Sequence, residues 1–188
     1  MNNSEDSQKG IKIPQAEWIF VSFLILAAIL GIVFVVVSGQ NQAKERANTR
    51  AGDLRLLKKT LEDHPGFSGG GKIYPQTFTP EYKRYGEKKY SGWFDECSNP
   101  GNWIPGLAQF LGGKLPRDPQ NSCRARIGRE EYPRYQYISD GFDFKILSYK
   151  LSGEICNLEE FADLIDPARP CSADDASWAV YSPGAKNW

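Results

Sequence analysis

Four cysteines and one histidine are the residues of this chain with the most specific chemistry. Cys97, Cys123, Cys156 and Cys171 include no Cys-x-x-Cys pair, and His64 is the single imidazole. A zinc site therefore lacks a ligand set of the usual spacing. An even cysteine count in a small domain predicts two disulfides and an oxidising compartment instead. The sequence allows three pairings. Cys97–Cys123 and Cys156–Cys171 are favoured, because cysteines that are neighbours in sequence close first. Closing the step from 156 to 171 would restrict the unfolded chain by about 3 kcal/mol.

The other reactive groups do not converge. Glu130-Glu131, Glu159-Glu160 and Asp174-Asp175 are adjacent pairs, which regular structure points apart, and they read as solvated surface. His64 precedes Pro65 and reads as a helix C-terminal cap rather than a base. The glycines at 69–71 are not followed by Gly-Lys-Ser/Thr and open no helix, so they do not make a phosphate-binding loop. Tyr82-Lys83-Arg84-Tyr85-Gly86-Glu87-Lys88-Lys89-Tyr90 interleaves bases with aromatics, as single-strand binders do. The whole chain balances 23 basic against 23 acidic residues, so a solvated strand or hairpin is expected there, with no nucleic-acid partner. No nucleophile meets a base, and a non-enzymatic chain is expected.

The elements that position these residues begin with an anchor. Trp18 to Ser38 reads WIFVSFLILAAILGIVFVVVS, without one charge. As a helix it spans about 31 Å, the thickness of a bilayer's hydrocarbon core. It is longer than the apolar core of a cleaved secretory signal, so a single membrane-spanning helix is expected. From Gln40 to Asp63 there is no proline, and Ala43, Ala47, Ala51, Leu54, Leu57 and Leu61 trace one helical face. Unbroken, residues 18–63 would make a rod about 69 Å long, ended by His64-Pro65-Gly66.

Glycine and proline number 30 in the whole chain, which predicts a turn-rich, largely β domain beyond the rod. A short helix or turn is expected at Trp103–Leu111. Tyr135–Ile138 and Phe142–Leu147 flank Ser139-Asp140-Gly141 as a hairpin. Phe161–Ile165 reads as a helical turn, and Trp178–Ser182 as a last strand. The orientation signals conflict. Lys9 and Lys12 precede the anchor, whereas Lys44, Arg46, Arg50, Arg55, Lys58 and Lys59 follow it. The positive-inside rule would place the C-terminal domain in the cytoplasm; cysteine usage places it outside.

A leader ending in Lys9-Gly10, a membrane helix running into an amphipathic one, and then a small β domain resembles type IV pilins and the pseudopilins of type II secretion. Arg50-x-x-Asp53-Leu54-x-x-Leu57-x-x-x-Leu61 is similar to the outer half of the pilin helix. Ile73-Tyr74-Pro75 resembles the Tyr-Pro that follows it in major pseudopilins. Trp103–Leu107, Leu115–Pro119 and Tyr135–Ile146 are similar, in that order, to the body of pilin-like proteins. The likeness covers residues 10 to about 150.

The resemblance implies an α+β pilin fold, a long N-terminal helix packed on a small antiparallel sheet. Its divisions would be a leader (1–10), an N-terminal segment with the transmembrane helix (11–38), an amphipathic continuation (39–64) and an extracytoplasmic β-rich domain (65–188). It implies cleavage after Gly10 by a prepilin peptidase, N-methylation of Ile11, and assembly with like subunits on an inner-membrane platform. Some major pseudopilins hold calcium in a C-terminal loop, and Asp140, Asp143, Asp174 and Asp175 could supply its oxygen ligands; turn capping explains Asp140 without an ion.

One departure stands at the processing site. The family carries glutamate at the fifth mature position, where this chain has Gln15; the nearest acid is Glu17, at the seventh. Two residues move a side chain about 3 Å along a helix and 200° around it. Glu17 therefore either takes the assembly role from a shifted position or is a solvated helix-start acid. The expected protein is a single-pass membrane subunit of a pilus or secretion pseudopilus, with an extracellular filament as its assembled form. The alternative is a membrane-tethered extracytoplasmic binding module that does not polymerise.

Overall fold

Forty-nine residues without an internal proline, Gln15–Asp63, form the single helix α1. The computed structural model describes residues 15–66, 71–78, 92–120, 123 and 133–188, with side chains from residue 22 onward. Residues 1–14 with Gly10 and Ile11, the side chain of Glu17, Gly69 and Gly70, the 82–90 segment and Glu130-Glu131 lie outside what it describes. Pro65 disfavours helical backbone at His64, and Gly66 takes a left-handed φ of 79°, so α1 stops where the sequence predicts.

The chain divides into two compact units, Met1–Gln42 and Ala43–Trp188. In the first, residues 23–37 present an apolar surface with almost no burial; Phe34 is 74 % and Val35 68 % exposed. This helix is long and apolar enough to cross a membrane.

In the second unit, α1 contributes a buried face of Ala47, Ala51, Leu54, Leu57 and Leu61, five of the six residues of the predicted stripe; Ala43, its first, is only half-buried. It shares one core with Trp103, Tyr135, Tyr137, Phe144, Ile146 and Trp178. These come largely from an antiparallel sheet of β1 (Phe94–Asp95), β2 (Arg134–Ser139), β3 (Phe144–Tyr149) and β4 (Trp178–Tyr181), in that spatial order. The fold is α+β. In β2 and β3 the aromatic and branched residues pair from Arg134–Tyr149 through Ser139–Phe144. Their hairpin closes over 140–143. The Asp140 carboxylate accepts from the amides of Phe142 and Asp143, an Asx turn.

Both faces of the sheet are covered. Lys145 and Leu147 alternate with the core-facing Phe144 and Ile146, yet all four are buried. The chain after β3 runs through α2 (Gly153–Cys156), a 3-10 segment (Glu159–Leu164), β4 and a last 3-10 turn (Pro183–Ala185). Two disulfides tie the loops, Cys97–Cys123 with Cα atoms 5.0 Å apart and Cys156–Cys171 at 5.4 Å.

Candidate functional site

A buried polar network joins α1 to the sheet. Arg50 lies on the same helix face as Ala47 and Leu54, where a charge needs a partner. Its Nε donates to Asp118 Oδ2 at 2.7 Å and its Nη2 to Asp118 Oδ1 at 3.0 Å, with a third bond to Gln120 Oε1. Their side chains are 4 % and 0 % exposed. Such a bidentate fork fixes both position and angle. The Asp118 amide donates to Glu96 Oε2, and the Tyr135 amide to Glu96 Oε1. The Tyr135 hydroxyl returns to α1 by donating to Asp53 Oδ2 at 2.7 Å.

Desolvation dominates the titration of this network. Burial pushes the Glu96 carboxyl up to about 7, against the pull of its two amide donors. Asp53 is also raised by burial, its bond from Tyr135 opposing. Burial and then the Asp53 charge push the Tyr135 hydroxyl above the usual tyrosine range.

Beside Arg50 opens a groove of about 420 Å³. Ala43 and Arg46 of α1 form one wall, and Lys150, Leu151, Ser152 and Ile155 another. Lys150 has a φ of 61°, left-handed backbone in a residue that is not glycine. Arg46 and Lys150 are half-buried and make no ion pair among the described residues.

A second ionic cluster lies on the opposite face of the sheet. Lys145 Nζ sits 2.6 Å from Asp166 Oδ1, both side chains fully buried. It also donates to the main-chain oxygens of Lys186 and Trp188. Arg169 Nη1 donates to Asp166 Oδ2 and to the Trp188 oxygen. Burial lowers the Lys145 ammonium from its usual range, with Asp166 opposing. The cluster fastens 166–188 over β3.

The aspartates singled out as possible calcium ligands do not gather at one place. Asp140, Asp143 and Asp175 are already engaged, and Asp174 is solvent-exposed. Asp143 Oδ1 accepts from the Ser182 hydroxyl and the Gly184 amide, Asp140 caps its turn, and Asp175 lies 3.5 Å from Arg169 Nε. Among the described residues, the four aspartates do not form one ligand set. Glu96, Cys97 and Cys123 do approach one another, but those sulfurs share a disulfide and Glu96 serves two amides. His64 stacks on Phe110 at 4.0 Å.

Sequence reasoning missed Asp118, Glu96, Lys145, Asp166 and Arg169. One signal was present for Arg50, because an arginine interrupts an otherwise apolar stripe. No family model, curated protein or solved structure matches the chain.

Proposed function

We propose that this chain is a membrane-anchored, pilin-like structural subunit that assembles through its N-terminal helix, with its disulfide-tied domain on the extracytoplasmic side. One observation carries the reading. A single helix combines an apolar surface over 23–37 that is exposed among the described residues with a stretch, 43–63, built into the core of a small sheet domain. Exposed apolar area of that extent requires lipid or the helices of other copies.

The basic residues after the anchor also support an outside domain. Lys44 pairs with Glu160, Arg50 with Asp118, Arg55 with Asp163, Lys58 with Glu62 and Lys59 with Asp63. Five of the six basic residues after the anchor thus serve the domain's own acids, Arg46 being the exception. The disulfides favour the same side.

A photo-crosslinking residue at Phe34 tests assembly in the native membrane. A ladder of crosslinked copies is expected. Crosslinks to lipid alone would contradict assembly and favour the tethered binding module.

A further inference from the structure

Lys145 and Asp166 bring a nitrogen nucleophile against a carboxyl group where water is excluded. Nζ lies 2.6 Å from Oδ1, and both side chains are fully buried. The carboxyl carbon stands one bond behind that oxygen. Each partner is held by the sheet. Lys145 belongs to β3, which pairs with β2 on one side and β4 on the other. Asp166 donates its amide to the Ser177 oxygen, and Ile165 before it bridges to Trp178. Groups fixed and aligned at such range react as if present at about 10⁵–10⁸ M.

The surroundings favour condensation over a standing ion pair. A wholly buried ammonium and carboxylate bear the desolvation of two charges, and a neutral amide bears neither. Burial lowers the Lys145 ammonium from its usual range, with Asp166 opposing, which eases formation of the neutral amine. Nζ donates to the main-chain oxygens of Lys186 and Trp188, both at 3.0 Å. Those two bonds and Cε take three of its four tetrahedral directions. The fourth, the lone pair of the neutral amine, is left for Asp166. From the other side, Oδ1 accepts from the Ala168 amide and Oδ2 from Arg169 Nη1 at 2.8 Å. These donors sit where negative charge grows when a carboxyl carbon is attacked. Arg169 Nε also lies 3.5 Å from Asp175, so Arg169 keeps an acid partner once Asp166 is neutral.

We propose that Lys145 and Asp166 join in an intramolecular isopeptide bond. The ammonium passes one proton to Oδ1 across their contact. The amine lone pair then forms the Nζ–Cγ bond, and the carbonyl electron pair moves onto Oδ2 beside Arg169. As that pair returns, the Cγ–Oδ1 bond breaks, and Oδ1 leaves as water with a second proton from Nζ. Nζ keeps its third proton. One ammonium and one carboxylate become one amide and one water, with no oxidant, reductant or outside co-reactant. The bond ties β3 to the segment before β4 and, unlike the disulfides, survives reduction. It stands apart from anchoring and assembly, and applies equally to a subunit or a tethered domain.

Tryptic mapping of the full-length protein, extracted from its native membrane, reduced and alkylated, tests the bond. Trypsin does not cut after an acylated lysine. Residues 135–150 should therefore stay whole and appear joined to 151–186, at the summed mass of the two peptides less one water. Fragmentation should place the link between Lys145 and Asp166. In the intact mass the same water is lost in addition to any trimming of the leader. Lys145→Arg keeps the charge and removes the nucleophile, so the water loss should vanish in that variant. Recovery of separate 135–145 and 146–150 peptides from the parent protein overturns the proposal. A water loss that persists in Lys145→Arg overturns it too, because dehydration then lies elsewhere in the chain.

Discussion

Arg50 and Asp118 keep opposite charges almost wholly out of water, so each is costly without the other. Arg50→Ala should destabilise the domain by about 3–5 kcal/mol, because the Asp118 carboxylate is left buried and unpaired. Replacing both, with Arg50→Met and Asp118→Leu, should cost less than either single change. Urea denaturation of the three variants checks this. Glu96 makes a second prediction, with a sign. Its carboxyl binds a proton more tightly in the folded chain, where it titrates at about 7, than when unfolded, at 4.5. Its contribution is therefore most favourable below the unfolded value and is lost as pH rises toward 7. The loss is about 3 kcal/mol. Glu96→Gln removes the titration at the expense of one amide partner, so urea midpoints measured from pH 4 to 8 should fall less steeply in the variant than in the parent. Parallel curves would remove Glu96 as the cause.

At the scale of elements, α1 and the clasp between the hairpin loop and the segment after β4 carry the predictions. Leu57 is fully buried, and Leu57→Asp should cost several kcal/mol through an unpaired charge in the core; a negligible change would mean that this face is solvated. Asp143 holds Ser182 and Gly184, and a Cβ on Gly184 would run into the Asp143 carboxylate. Gly184→Ala should therefore loosen the clasp, seen as faster hydrogen exchange at Phe144 and Ser182, whose amides bond across it. Much of this level was legible in the sequence. Helical period betrayed the Ala47–Leu61 stripe, and aromatic strands around a turn betrayed the hairpin. β1 was not, since two residues, Phe94 and Asp95, carry no period. Lys145 was hidden for another reason. Both faces of β3 are buried, so the polar alternation that marks a half-solvated strand is missing. The groove brings residues 43–50 together with 150–155 and 174, a closeness that no local pattern encodes.

For the whole molecule, the central claim is that one helix serves as membrane anchor and assembly element, with a disulfide-tied domain outside. Non-reducing peptide mapping should find Cys97 linked to Cys123 and Cys156 to Cys171, and free thiols in the native protein would contradict the oxidising side. Reducing conditions should cost the second loop about 3 kcal/mol of stability. These results would fit a tethered domain as well as an assembling subunit. Processing separates the two. The intact mass of the protein extracted from its native membrane should show the loss of residues 1–10 and one added methyl group on Ile11. A full-length, unmethylated mass would contradict the assembling subunit and leave a tethered binding module in its place.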